Sequence, residues 1–153
     1  IVRDDYRAVM ASCALPGFCR PVKVGDRYYY DGGVADSIPL HHAIEQGCTK
    51  MVVILSNPRN FVKKPEAHRP LYKHMLHKYP KTIQSIDNRH INYQASIDLA
   101  CRLEKEGYVF IFAPSRHMPL STFSKDAALE QDLYDLGVAD YEARAEELKH
   151  FLN

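Results

Sequence analysis

The stretch Tyr28-Tyr29-Tyr30-Asp31-Gly32-Gly33-Val34 lies in the part of the chain that decides the fold. Two β-rich runs, residues 22–24 and 27–30, flank Gly25-Asp26, and this arrangement predicts a hairpin. The second run leads directly into Asp31, so the strand presents a carboxylate at its end. The two glycines that follow permit backbone angles and close approaches that a side chain would forbid. The stretch therefore predicts an aspartate held in a tight turn beside open space.

The segment after this turn predicts a helix and a second strand. Ser37 can cap a helix that has Pro39 in its first turn and ends near Gln46, since Gly47 is a normal stop signal. Residues 51–56 are short, apolar and rich in β-branched side chains, which is typical of a buried strand. Strand, helix and strand in this order indicate a crossover onto a parallel sheet.

The remaining sequence predicts mostly helix. A short helix fits residues 4–13, helical spacing of apolar residues covers 66–79 and 83–107, and Tyr108–Phe112 reads as a further strand. Residues 126–136 and 138–153 are predicted as two helices because Gly137 separates them. The pattern as a whole predicts an α/β fold with a mostly parallel sheet.

Composition limits the class of protein. The chain has 153 residues, of which 46% are hydrophobic and 25% charged, values typical of one soluble globular domain. The longest apolar run is far shorter than the roughly 20 residues of a membrane-spanning helix. A net charge of +1 argues against a globally basic nucleic-acid binder.

The start at Ile1, without Met, indicates a piece of a longer protein. The irregular cysteine spacing predicts free, mostly buried thiols in a reducing compartment.

An ordered set of motifs carries a family resemblance. The set comprises Ala11-Ser12-Cys13-Ala14-Leu15-Pro16, then Pro21-Val22, then Asp31-Gly32-Gly33, and then Ile38-Pro39. It resembles the patatin-like phospholipase family, with residues 88–90 and 114–116 similar to its uncharacterised bacterial branch. The resemblance implies part of a three-layer α/β/α sandwich whose N-terminal portion is missing. Residues 1–57 would then be the catalytic-aspartate segment of a single domain, and 58–153 a helical region with one further strand.

The resemblance also implies a chemistry. In the family, the aspartate matching Asp31 activates a serine in a G-x-S-x-G turn without a histidine, and Gly32 and Gly33 form the active-site turn. Such a Ser-Asp dyad hydrolyses lipid esters and requires no metal or organic cofactor. The chain contains no G-x-S-x-G and no glycine-rich oxyanion loop. It is therefore expected to supply the base but to be inactive alone.

Each polar residue also has a purely structural interpretation. Asp31 could be a turn aspartate bonded to its own backbone. Asp36 is better explained as a helix cap than as a second catalytic carboxylate. Ser12 has no flanking glycines for a nucleophile turn, so we expect a hydrogen-bonded core residue. His41 and His42 could complete a triad, but one surface and one partly buried histidine is the favoured interpretation.

The chain also holds a basic stretch between Arg59 and Lys81, with seven Lys or Arg against one acid. Interleaved with apolar residues, it has the composition of a surface attracted to anionic lipid. A solvated helix whose basic face answers the acidic C-terminal helix is the favoured interpretation, and the expected localisation is cytoplasmic, with peripheral membrane contact as the alternative. The candidate contacts are Arg59, Lys63, Lys64, Arg69, Lys73 and Lys78. His74 and His77 share a helix face but lack an evident third ligand, so no metal site is predicted.

Two alternatives to the hydrolase stay open at this point. One is a non-catalytic α/β domain that binds an acidic partner or a membrane through the basic stretch. A carboxylate of Asp31 that is fully covered by backbone amides would favour this domain, whereas an open carboxylate would favour the enzyme. The other is a homodimer that forms through an exposed sheet edge, because unpaired strand edges readily pair with another chain.

Overall fold

A computed structural model describes residues 6–119 and 125–153. The fold is α/β, as predicted, and contains an antiparallel hairpin, a small parallel sheet and five α-helices among the described residues. The strands are β1 (Val22–Val24), β2 (Arg27–Tyr29), β3 (Met51–Ile54) and β4 (Val109–Phe112). The helices are α1 (Arg7–Ser12), α2 (Leu40–Glu45), α3 (Arg69–Met75), α4 (Pro80–Lys105) and α5 (Ala127–Leu152), with a 3-10 turn at Gly32–Val34.

The chain folds into two compact units, each built from two separate segments. The first unit consists of Ile1–Pro39 and Val62–Ser96, and the second of Leu40–Phe61 and Ile97–Asn153. The hairpin, the 3-10 turn and α3 lie in the first unit, whereas the parallel sheet and α5 lie in the second. The single-domain assignment made from the sequence stays a prediction.

The predicted hairpin is confirmed in the first unit. Strands β1 and β2 pair antiparallel, with Val22 opposite Tyr29 and Val24 opposite Arg27. The turn between them places Gly25 at φ +60°, in the left-handed region that glycine adopts without strain. The hairpin thus delivers the chain directly to the turn at Asp31.

A small apolar core lies under that turn. Val34, Leu76 and Ile86 are buried, with exposed fractions of 8, 2 and 8%. Four partly buried side chains pack against them: Tyr30, Tyr72, Tyr79 and Ile83. The core therefore joins the Asp-Gly-Gly segment to α3 and to the first half of α4.

The second unit contains a parallel sheet, but the crossover predicted from residues 27–30 through the following helix to residues 51–56 is wrong, because β2 pairs with β1 and β3 pairs with β4 in a separate sheet. Strands β3 and β4 pair parallel, with Met51 opposite Val109 and Ile54 opposite Phe112. The connection between them runs through α3 and α4, as parallel pairing requires a long crossover. Strand β4 is buried over its first three residues, whereas Ile54 of β3 is 79% exposed. Two strands of a parallel sheet are thus present among the described residues.

Three local predictions were wrong. Gly137 does not break the C-terminal helix, since α5 runs without interruption from 127 to 152; a helix-interior glycine costs only about 1 kcal/mol relative to alanine, which a 26-residue helix absorbs. Helix α3 is shorter than predicted and covers only Arg69–Met75. The four cysteines are free, but Cys13, Cys19 and Cys48 are exposed rather than buried.

Within residues 6–119 and 125–153, no helix combines the length and apolar character needed to cross a membrane.

Candidate active site

Asp31 occupies the position between β2 and the 3-10 turn. Its backbone N–H donates to the carbonyl of Ala14 at 3.0 Å, and its carbonyl accepts from the N–H of Val34 at 3.4 Å. Its side-chain Oδ1 accepts a hydrogen bond from the N–H of Gly33 at 2.8 Å. The residue is partly exposed, and Oδ2 has no hydrogen-bond partner among the described residues. One oxygen is therefore anchored, and the other is available to accept a proton.

The prediction for the two glycines is confirmed in part. Neither Gly32 nor Gly33 has a positive φ, so the expected unusual backbone angles are absent at this turn. Close approach does apply at Gly33, because a Cβ placed there would lie 3.2 Å from Oδ1 of Asp31. A Cβ at Gly32 would meet nothing within 4 Å. The requirement for glycine is thus spatial and concerns Gly33 alone.

The carbonyl of Gly33 is the second fixed point of the turn. It accepts hydrogen bonds from Oγ of Ser37 at 2.7 Å and from Nε of Arg89 at 3.0 Å. Ser37 is therefore bonded to the turn and does not cap α2, which begins only at Leu40. Asp36 accepts from the N–H of Ile38 at 3.3 Å, so it caps the turn before the helix rather than the helix itself.

Arg89 reaches the turn from α4, 56 residues further along the chain. Its Nη1 also donates to Oε1 of Glu66 at 3.1 Å, and Lys63 lies 3.4 Å from the same oxygen. Neither Arg89 nor Glu66 was predicted as a site residue, because an arginine in the middle of a helix carries no local signal of such a role.

Tyr30 precedes Asp31 and packs against the apolar core that lies under the turn. Its ring makes an edge-to-face contact with Tyr79, with centroids 5.5 Å apart. Burial raises the pKa of Tyr30 above its ordinary value, and the neighbouring Tyr79 raises it further. Tyr30 is therefore neutral at physiological pH and serves as packing, not as an acid or base.

The other candidate nucleophile and triad residues have ordinary surroundings. Oγ of Ser12 donates to the carbonyl of Val9 at 3.0 Å, and Ser12 is exposed rather than in the core. His41 and His42 are both exposed, whereas one of them was predicted to be partly buried. His42 lies 3.8 Å from Glu45 on the same helix.

Half of the candidate lipid-contact residues are engaged in ion pairs. Arg59 binds both carboxylate oxygens of Glu104, and Lys63 is paired with Glu66. Arg69 binds both oxygens of Asp87; its hydrogen bonds, together with one from Tyr72, hold the pKa of Asp87 down at about 2. The other three candidates, Lys64, Lys73 and Lys78, have exposed side chains.

No cluster of three or more His, Cys, Asp or Glu side chains that could hold a metal occurs in the described part of the chain. His74 and His77 lie on the surface, with ring centroids 6.4 Å apart.

An apolar cavity of about 300 Å³ lies within the second unit. Its walls come from the ends of β3 and β4 and from α5, and they include Ile54, Leu55, Phe112, Pro114, Leu133 and Tyr141. Asp31 is not among its lining residues.

Comparison with known proteins divides the chain into two matched regions. Residues 4–44 match the patatin-like phospholipase family, and residues 79–153 match a domain of unknown function, DUF6363. The uncharacterised protein YjjU of Escherichia coli (strain K12) is 39% identical over 59 residues. That alignment covers 38% of this chain and only 16% of the relative. No solved structure matches the chain significantly.

These matches support the motif-based resemblance over its most specific part. The region similar to patatin-like phospholipases contains Asp31, Gly33 and the Ser37 that bonds to the turn, whereas Arg89 lies in the DUF6363 region. The turn at Asp31 is therefore built from residues of both matched regions.

Proposed function

We propose that this chain supplies the general base of a serine acyl hydrolase that cleaves carboxylic esters of lipids. The observation that carries the proposal is the asymmetric carboxylate of Asp31, with Oδ1 anchored on Gly33 and Oδ2 open among the described residues. The arrangement is compatible with a base, because the open oxygen can receive a proton, although the bond from Gly33 to Oδ1 is also that of a turn aspartate bonded to its own backbone. The match of residues 4–44 to patatin-like phospholipases supports the same assignment.

The proposed reaction proceeds through an acyl-enzyme. Oδ2 of Asp31 takes the proton from a serine hydroxyl while the serine oxygen attacks the acyl carbonyl. The tetrahedral intermediate then collapses, the alcohol leaves with the proton returned from Asp31, and the acyl group stays on the serine. Asp31 next removes a proton from water, the hydroxyl attacks the acyl-enzyme, and the serine recovers its proton as the fatty acid leaves.

The serine must come from outside these 153 residues, which contain no G-x-S-x-G. Turnover is therefore expected of the longer polypeptide and not of this segment alone.

Contact with anionic lipid is the second part of the proposal. Arg59, Lys63 and Arg69 already neutralise acidic side chains. The exposed ammonium groups of Lys64, Lys73 and Lys78 are better placed to meet lipid head groups. Each such cation close to an anionic membrane contributes on the order of 1 kcal/mol to binding.

The test is the turnover of a short-chain p-nitrophenyl ester by the full-length polypeptide and its Asp31→Asn variant. The substitution keeps the shape and an acceptor for the N–H of Gly33 but removes the base. We expect kcat to fall by a factor of about 100 or more. Asp36→Asn is the matched control, because Asp36 lies in the same segment and its carboxylate only caps a turn. Equal activity in Asp31→Asn and wild type would refute the dyad, and turnover by neither would favour the non-catalytic binding domain.

A further inference from the structure

Gly33 makes hydrogen bonds in two directions. Its N–H donates to Oδ1 of Asp31, and its carbonyl accepts from Nε of Arg89 and Oγ of Ser37. The orientation of this single residue therefore determines where the N–H points and, through it, how the carboxylate is held. We propose that Arg89 is the positioning residue of Asp31: by holding the carbonyl of Gly33, it keeps the N–H of Gly33 directed at Oδ1 of Asp31. The inference rests on the proposed function of Asp31.

The guanidinium of Arg89 is itself held in place. Its Nη1 donates to Glu66, and the two side chains are only 33 and 35% exposed. With Nη1 held by Glu66, Nε is directed at the carbonyl of Gly33. Lysine cannot reproduce this arrangement, because a single ammonium lacks the planar pair of donors of a guanidinium.

The surrounding backbone explains why this support is needed. Arg89 belongs to the 26-residue helix α4, whereas Gly33 belongs to a turn of three residues. A second contact from the same helix is longer, with Nδ2 of Asn92 3.4 Å from the carbonyl of Ala35. Arg89 therefore provides the shorter of these two hydrogen bonds from α4 to the turn.

Among the described residues, loss of Arg89 leaves Ser37 as the remaining donor to the carbonyl of Gly33, and Ser37 is an exposed residue in the same local segment. The N–H of Gly33 then samples more directions, and the carboxylate of Asp31 rotates more freely. A displacement of about 1 Å in a catalytic group can cost on the order of 100-fold in rate. The effect should fall on kcat, because Arg89 is proposed to hold Asp31 and not to bind the ester.

The first experiment compares Arg89→Ala, Arg89→Lys and Asp31→Asn in the full-length polypeptide with the p-nitrophenyl ester. We expect kcat to fall about 10- to 100-fold in both Arg89 variants with little change in KM. Added guanidinium ion should restore part of the activity of Arg89→Ala, a result that a purely structural role would not give. Arg102→Ala is the matched control, because Arg102 is an exposed arginine on the same helix.

The second experiment measures amide hydrogen exchange at Gly33, which does not depend on turnover. Exchange should be about 10-fold faster or more in Arg89→Ala and Arg89→Lys than in wild type, and unchanged in Arg102→Ala. Unchanged exchange, or full kcat in Arg89→Lys beside an inactive Asp31→Asn, would overturn the positioning role. If Asp31→Asn stays active, the proposed function fails, whereas the exchange result still decides whether Arg89 holds the turn. Arg89→Lys keeps the test valid if Arg89→Ala does not fold, because it retains the charge and the aliphatic stem.

Discussion

Replacing Glu104 with alanine should destabilise the second unit strongly, although the residue is only partly buried. Its carboxylate binds the guanidinium of Arg59 through two hydrogen bonds. Oε1 also accepts a hydrogen bond from the N–H of Ile111 at 3.2 Å. Ile111 lies in the middle of β4 and is only 1% exposed, so this N–H has little access to water once the carboxylate is removed.

The magnitude follows from two contributions. An unsatisfied buried N–H costs about 1–3 kcal/mol in free energy of unfolding. The ion pair adds only about 0.2–1 kcal/mol, because solvent screens side chains that are 41 and 25% exposed. We therefore expect Glu104→Ala to lower the free energy of unfolding by about 1–4 kcal/mol. Glu104→Gln keeps an oxygen for Ile111 and should cost about 1 kcal/mol or less.

Urea denaturation followed by far-UV circular dichroism measures both values, since a change in midpoint at constant slope reports a change in stability. The control is Glu106→Ala, because Glu106 is exposed and lies two residues further along. If Glu104→Ala and Glu106→Ala unfold at the same urea concentration, the carboxylate does not satisfy the strand and the reasoning is refuted. Equal losses in Glu104→Ala and Glu104→Gln would mean that the charge, and not the bond to Ile111, is what matters.

Two further predictions concern the same unit. Hydrogen bonds from Arg59 hold the pKa of Glu104 below its ordinary value, so this stabilisation is complete above the unfolded-state pKa of about 4.3 and is lost as the pH falls through the folded-state pKa. Wild type should consequently lose more stability than Glu104→Gln on acidification below about pH 4.3, and parallel pH profiles would contradict this. Gly137→Ala should raise the free energy of unfolding by about 0.5–1 kcal/mol, because the helix is continuous there and a Cβ would meet nothing within 4 Å. A lower thermal midpoint in this variant would show that the glycine is required.

The sequence predicted those features that depend on neighbouring residues. Alternating β-rich runs around Gly25 were sufficient for the hairpin, and the apolar runs at residues 51–56 and 108–112 were sufficient for β3 and β4. The helix break predicted at Gly137 was wrong, because a glycine ends a helix only when the chain also changes direction there. Nothing in the residues around it distinguishes these two cases.

The site was predictable only in part for the same physical reason. Asp31 stood out because its turn, strand and following glycines are adjacent in sequence. The support from Arg89 depends on a contact across 56 residues, and a single sequence carries no information about such a pairing. For Gly33, both unusual backbone angles and a close approach were predicted; only the close approach is present, and its partner, Oδ1 of Asp31 at 3.2 Å, is visible only in the three-dimensional structure.

The division of the chain into two interleaved units has a consequence for its modularity. The boundaries of the two matched regions, at residues 44 and 79, do not coincide with the points at which the polypeptide passes from one unit to the other, after residues 39, 61 and 96. A truncated polypeptide that ends before residue 79 would separate Gly33 from Arg89 and Val34 from Ile86. The region of residues 4–44 is therefore not expected to fold and function on its own. Gene fusions that carry the aspartate turn without the first half of α4 should yield an unsupported carboxylate, and the two regions are expected to be inherited together.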